Sequence, residues 1–223
     1  TYIQEQNCFA GLTNKLLSKR INKIFVAHNE MEKFFPKHKI FNLGNPVRHS
    51  LKTTTEITFI NDSREFFGLS KDCFTILIIG GSLGAEPINR AIANSLKDLT
   101  SRNCQLIWQT GKSKYLKYSH LKSPTCSIQK FIDRMDVAYA AADIVISRAG
   151  AIAIAEICFL SKASILIPSP YVTDNHQTVN AQYLKKHNTC IMIKEIELEK
   201  KLIESVEYLK EKNKRKEMGR LAN

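Results

Sequence analysis

The stretch Phe74-Thr75-Ile76-Leu77-Ile78-Ile79-Gly80-Gly81-Ser82-Leu83-Gly84-Ala85 decides how this chain is read. Its first six residues are mostly apolar and β-branched, in a run too short for a helix. Near-continuous apolar character is what a strand buried on both faces requires. A glycine-rich turn follows, and then Ala85–Leu99 carries Ile88, Ala91, Ile92, Ser95, Leu96 and Leu99 at helical period. Pro87 stands in the first turn of that pattern, where a missing N–H costs nothing. The reading is strand, glycine turn, helix.

Working outward, the same alternation repeats. Strand-like runs occur at Cys104–Gln109, Ser127–Phe131, Asp143–Ser147, Ser164–Pro168 and Cys190–Ile193. Helical patterns lie between them at Met135–Ala142, Ala151–Leu160 and Gln177–Lys186. Strand and helix alternating in this way predict an α/β fold with a parallel, doubly wound sheet. Upstream, Thr13–Arg20 reads as a helix, and Ile24–His28 and Ile40–Leu43 as strands. Gly44-Asn45-Pro46 is a turn signal, and the polar, Thr-rich residues 50–62 read as a connection. The boundary is expected near residues 46–50. Residues 1–47 are then the end of a preceding domain, too short to hold a core of their own, and 48–223 a second domain.

The chain has 223 residues, with 33 Lys+Arg against 21 Asp+Glu and a formal net charge of +12. The composition is 43% hydrophobic and 24% charged, which excludes disordered and collagen-like classes. No apolar run approaches the roughly 20 residues of a spanning helix. Residues 1–52 hold nine Lys/Arg and three Glu, half of the excess charge. A basic surface favours anionic partners: nucleic acid, anionic lipid or phosphorylated metabolites. Residues 194–223 alternate in sign and read as an exposed helix face. The six cysteines, at 8, 73, 104, 126, 158 and 190, form no C-x-x-C. They read as reduced, mostly buried thiols of a cytosolic protein, with no zinc site and no disulfide.

Ligands of open α/β sheets bind beyond the carboxyl ends of strands, so the loops there carry the chemistry. Gly80-Gly81-Ser82-Leu83-Gly84 lets backbone approach a ligand, and the following helix start offers free N–H groups to a phosphate. A tight turn without a ligand explains it as well. G-x-G-x-x-G is absent in register, and Gln109 ends the next strand where a dinucleotide fold places an acid. Gly111-Lys112-Ser113 fails as a P-loop, because Leu106 stands where the first glycine belongs. A second small-residue turn, Arg148-Ala149-Gly150, precedes a helix bearing Glu156. That carboxylate is placed to accept bonds from a ribose diol, or else it is an ordinary helix glutamate. The loop Ser169–Asn180 is polar, and Asp174, His176, Gln177 and Asn180 suit a hydroxyl-rich sugar. Helix capping by Asp174 or Asn175 accounts for one of these residues and not the group.

Taken together, Gly80-Gly81-Ser82-Leu83-Gly84-Ala85, Ser147-Arg148-Ala149-Gly150-Ala151 with Glu156, and Asp174-Asn175-His176-Gln177-Thr178-x-Asn180-Ala181 closely resemble the MurG family. These are the UDP-N-acetylglucosamine transferases of peptidoglycan synthesis. Glu5-Gln6-Asn7, Gly11-Leu12-Thr13-Asn14, Lys23–Ala27, Gly44-Asn45-Pro46-Val47-Arg48 and Phe131-Ile132-Asp133-x-Met135 extend the resemblance over residues 2–193. It implies a GT-B fold, two Rossmann-like domains with the active site between them. Here that means the C-terminal donor-binding domain plus the end of the N-terminal, acceptor-binding one. It implies an inverting transfer of N-acetylglucosamine from UDP-N-acetylglucosamine to undecaprenyl-pyrophosphoryl-N-acetylmuramyl-pentapeptide, with no cofactor and no bound metal. The implied place is the cytoplasmic face of a bacterial membrane with an anionic surface, and the implied setting is cell-wall growth and division. Nucleic acid is not an implied partner, and the basic-aromatic interleaving of such surfaces is missing.

By position, Arg48 and Ser82 are implied to meet the diphosphate, the backbone of Ile132 the uracil, and Glu156 the ribose. His176 and Gln177 are implied to meet the sugar, and Asn7 the acceptor side, with Gly81, Gly84, Gly150 and Asn180 as secondary positions. Gln4 stands where the family commonly has His, and His176 where many members have Gln. The family's N-terminal Gly-rich loop with its catalytic-region histidine is not matched, and its last helix is expected to continue past Leu221-Ala222-Asn223. On that reading the chain is a fragment that binds donor without turning it over. The alternatives are a non-catalytic UDP-sugar-binding module and a UDP-sugar epimerase of the same fold.

Overall fold

The computed structural model describes residues 1–53, 57–172 and 175–222. Two parallel sheets organise them. The first has three strands, β1 (Tyr2–Glu5), β2 (Lys23–Val26) and β3 (Ile40–Asn42), in that spatial order. The helix α1 (Leu12–Leu17) connects β1 to β2. Ala10, Ile21, Ile24, Val26, Met31 and Phe35 form a small core of their own here. The expectation of no separate core for this segment is therefore corrected: short as it is, the sheet buries one apolar face. The strand β1 was not foreseen, because Tyr2-Ile3-Gln4-Glu5 has only two apolar residues to mark it.

The second sheet has six strands: β4 (Phe74–Ile79), β5 (Cys104–Gln109), β6 (Cys126–Gln129), β7 (Ile144–Ser147), β8 (Ala163–Leu166) and β9 (Ile191–Met192). Their spatial order is β6-β5-β4-β7-β8-β9, all parallel. The predicted α/β class and the two longest strands stand as expected, and the other boundaries shift by one to three residues. Helices cross between the strands: α2 (Ile57–Phe66) precedes β4, followed by α3 (Glu86–Ser101), the single turn α4 (Tyr115–Tyr118), α5 (Met135–Ala141), α6 (Ala151–Phe159) and α7 (His176–Lys186). After β9 come α8 (Leu198–Lys210) and α9 (Lys212–Ala222).

Period-two burial sorts the strand residues to two faces. Ile76 and Ile78, with Leu106, Trp108, Ile144 and Ile146, pack against α3, α8 and Met218 of α9. Leu77 and Ile79, with Ile107, Val145 and Leu166, pack against α5, α6 and α7. Each such isoleucine or leucine contributes roughly 2–3 kcal/mol by leaving water. Trp108 reaches further: its indole Nε1–H donates to Asn89 Oδ1 at 3.0 Å, and Asn89 Nδ2 donates to the Thr110 carbonyl at 2.9 Å. These two bonds seat α3 on the end of β5.

Two segments differ from expectation. Residues 50–62 are not merely a connection: a 3-10 turn spans His49–Thr53, with Leu51 buried in the second sheet's core, and α2 begins at Ile57. The Thr-rich entry masked the helix that follows it. In the C-terminal segment, α8 buries Leu198, Leu202, Val206 and Leu209. Its alternating charges are the outer face of an amphipathic helix whose inner stripe completes the core.

Candidate functional site

From β4 the chain winds outward to β5 and β6, then returns to β7 beside β4 and winds the other way to β8 and β9. The loops after β4 and β7 therefore leave in opposite directions and open a crevice between them. Ile79 is in register with Ser147, and Arg148 N donates to the Ile79 carbonyl at 3.3 Å. The two small-residue turns foreseen in the sequence are thus neighbours at this crevice.

Their glycines serve different ends. Gly81 has φ +81° with open space around it, so its need is conformational. Gly84 has φ +72°, and a Cβ there would stand 1.8 Å from the Thr110 carbonyl oxygen, so this turn and the one after β5 touch backbone to backbone. Gly150 has ordinary backbone and open space, so a ligand can come close. Among the described residues, the starts of α3 and α6 have no side-chain cap bond. Backbone N–H groups and the positive ends of helix dipoles border the crevice. Ser82 is exposed at its rim.

Glu156 lies on α6, 3% exposed. The Tyr139 hydroxyl donates to its Oε2 at 3.2 Å, and Arg48 Nε stands 3.4 Å from its Oε1, which makes no hydrogen bond among the described residues. Burial pushes the Glu156 carboxyl above its ordinary range, against the opposing pull of Arg48 and the Tyr139 bond. Arg48 is half exposed.

The remaining candidates are held in a polar framework. Gln109 Oε1 accepts the Ile132 N–H at 2.8 Å, and its Nε2 donates to the Gly81 carbonyl at 2.9 Å. Gln177 Oε1 accepts the Ser169 N–H at 2.9 Å, which folds the loop after β8 back onto α7. Asn180 is buried, and its carboxamide is committed: Oδ1 accepts the Cys8 N–H at 3.0 Å, while Nδ2 donates to Asn7 Oδ1 at 3.0 Å and the Ala149 carbonyl at 3.3 Å. Asn7 also donates to Glu5, whose buried carboxylate organises residues 5–14 through Gly11 N and Asn14 Nδ2. His176 opens α7, and Asp174 lies outside the described residues. Arg148 turns away from the crevice, pairing with Glu195 and donating to the Ile167 carbonyl. Among the described residues, no three His, Cys, Asp or Glu side chains come together as a metal-ligand set.

Residues 75–223 match the model of the glycosyltransferase family 28 C-terminal domain. The chain belongs to this family. It is 48% identical over 207 residues to the UDP-N-acetylglucosamine--N-acetylmuramyl-(pentapeptide) pyrophosphoryl-undecaprenol N-acetylglucosamine transferase of Parabacteroides distasonis, covering 90% of this chain and 55% of that protein. It is 48% identical over 200 residues to the protein of the same description from Flavobacterium psychrophilum, covering 89% and 54%. The chain thus spans about half the length of the curated relatives it matches. Among solved structures it is similar to Acinetobacter baumannii MurG, with a TM-score of 0.75 and 28% identity, covering 99% of this chain and 61% of that one. The expected resemblance and the GT-B fold class are thereby shown. The six-stranded sheet is the Rossmann-like half that carries the family 28 model.

Within this family 28 domain, Gln109 and Tyr139 join the site without having been singled out in the sequence. Gln109 was read only as a missing acid, and Tyr139 as one more residue of a helix. A polar group ending a buried strand, and a tyrosine inside an otherwise alanine-rich helix, are the signals that mark them.

Proposed function

We propose that this chain is the donor-binding part of an inverting glycosyltransferase, with residues 1–47 contributing to the acceptor side and 48–223 forming the donor domain. The reaction is transfer of N-acetylglucosamine from UDP-N-acetylglucosamine to undecaprenyl-pyrophosphoryl-N-acetylmuramyl-pentapeptide. The observation that carries this reading is the buried Glu156 carboxylate at the crevice, with one oxygen fixed and the other unbonded opposite Arg48. A ribose diol supplies the missing donors. As the diol arrives, Arg48 turns to the diphosphate beside Ser82 and the start of α3, where positive charge stabilises the leaving UDP. Uracil faces the carbonyl of Ile132, since its N–H is committed to Gln109. His176 and the amide nitrogen of Gln177 face the sugar. Asn180 serves by holding Asn7 against the donor turn, its own polar atoms being occupied.

The acceptor is a lipid at the cytoplasmic face of a bacterial membrane. Support for contact with an anionic surface comes from α1, where Leu12 and Leu16 are 67% and 70% exposed beside Lys15 and Lys19. Among the described residues no helix is long and apolar enough to cross a membrane.

Calorimetric titration with UDP-N-acetylglucosamine, UDP and a DNA oligomer tests the reading. Saturable binding of both uridine ligands is expected. Saturable DNA binding without UDP binding overturns it. Co-sedimentation with anionic but not neutral vesicles tests the membrane surface.

A further inference from the structure

We propose that Tyr139 is a positioning residue of the donor site: its hydroxyl fixes Oε2 of Glu156 so that Oε1 faces the ribose diol of a ribonucleoside diphosphate. This rests on the donor-site reading above and adds to it a residue that does not itself touch the ligand.

Tyr139 lies on α5 with its ring fully buried in the core formed by Leu77, Val145, Ile154 and Ile157. A phenylalanine fills that space without burying a polar atom, so packing alone gives no reason for a hydroxyl. The hydroxyl instead bridges two helices, donating from α5 to Glu156 on α6 at 3.2 Å. The terminal torsion of a glutamate is broad, and a carboxylate held only by its stem turns freely. One bond from the floor of the crevice removes that freedom. The other oxygen then stands toward Arg48 with no hydrogen bond, although it is shielded from solvent. A vicinal diol is the ligand chemistry that answers such an oxygen, because its two hydroxyls donate together to one carboxylate.

The groups that face Glu156 are Arg48, from the segment between the sheets, and Tyr139, from α5. Both favour the charged carboxylate, and burial disfavours it. Removing the phenolic donor leaves burial less opposed. Glu156 then takes up its proton at higher pH, and diol binding fails earlier on acidification.

The test compares wild type with Tyr139→Phe in calorimetric titrations of UDP and of 2′,3′-dideoxyuridine diphosphate, from acid to mildly alkaline pH, with thermal melts alongside. The expected result is UDP binding weakened about tenfold at neutral pH, with dideoxy-analogue binding unchanged. The acid limb of UDP affinity should also move to higher pH. In a Glu156→Gln background the same change should cost nothing further. Equal loss for UDP and the dideoxy analogue, or undiminished discrimination between them in Tyr139→Phe, overturns the inference while leaving the donor site standing. A wild type that binds neither, or both alike, overturns the donor-site reading and this inference with it.

Discussion

The two ends of the six-stranded sheet treat charge in opposite ways. At the amino ends of the strands, Asp143 precedes β7 and accepts from Thr75 N at 2.8 Å and from Arg64 Nη2 at 2.9 Å, with Arg215 Nη2 at 3.8 Å. The cations there are committed as well. Arg64 donates to the Ala141 and Lys71 carbonyls, Lys162 to Ala142, and Arg215 to Leu209 and Lys210. Except at Lys71, these carbonyls close α5 and α8, where a helix presents unsatisfied acceptors and the negative end of its dipole. At the carboxyl ends, Glu156 keeps an unbonded oxygen and Arg48 stays half in solvent. One end is a closed set of bonds that holds the fold. The other is an incomplete set, with an acceptor left over for the proposed donor. The same physics serves stability below and, on the proposed reading, recognition above.

The largest expected effect breaks the closed end. Asp143→Ala leaves Arg64 and Arg215 without their carboxylate, and neither side chain is more than one-fifth exposed. Urea unfolding should show a loss of about 3–4 kcal/mol. UDP affinity in the fraction still folded should be unchanged, because no donor-site residue touches this cluster. A parallel loss of affinity would mean that the two ends are not independent.

The opposite change is expected at the open end. Glu156→Gln should weaken UDP-N-acetylglucosamine binding by about 2 kcal/mol, the size of a lost charge-assisted pair of bonds. Its melting temperature at neutral pH should rise. The carboxyl's folded pKa is raised, so ionised Glu156 disfavours the folded state above that pKa, and an amide carries no such penalty. Arg48 is half exposed and loses little with its partner. A variant both weaker in binding and lower in melting temperature would show Glu156 to be a structural residue.

The fold was legible where physics is local. Phe74–Ile79 and Cys104–Gln109 are strands in full because continuous apolar runs fit only a doubly covered sheet. The glycine turns were legible because backbone at positive φ restricts the residue type, as at Gly81 and Gly84. What stayed hidden depends on partners distant in sequence. Gln109 works between Gly81 and Ile132, and Asn180 between Asn7 and Ala149, pairs that only the folded crossovers bring together. Asn180 read as a sugar ligand because its loop is polar, yet its polar atoms are turned inward. The alternating charges of α8 hid its buried stripe in the same way, since a charge pattern reports the outer face alone.

Asn180 is also where the open end meets the smaller sheet. Asn180→Ala removes bonds to Cys8 N, Asn7 and the Ala149 carbonyl, and should cost about 1–2 kcal/mol of stability. Hydrogen exchange should quicken at residues 5–11 and at the β7–α6 turn together. Faster exchange at only one of them would show that the residue does not couple the two.

The last expected effect concerns Lys162 at the closed end. Its ammonium donates to the Ala142 carbonyl at 2.5 Å, and burial, aided by Arg64 and Arg215, pushes its pKa down to about 8 against the attraction of Asp143. The folded pKa is thus below the ordinary lysine value of 10.5. In that interval the unfolded chain binds more protons than the folded one, so stability attributable to this residue rises with pH from about 8 toward 10.5. Other lysines and tyrosines titrate in the same range, so the measurement is a difference: urea midpoints of wild type minus Lys162→Met across that interval. The difference should grow in favour of wild type across that interval. A flat difference would mean that Lys162 is as well solvated as a surface lysine. The closed end would then owe its order to Asp143 and the two arginines alone.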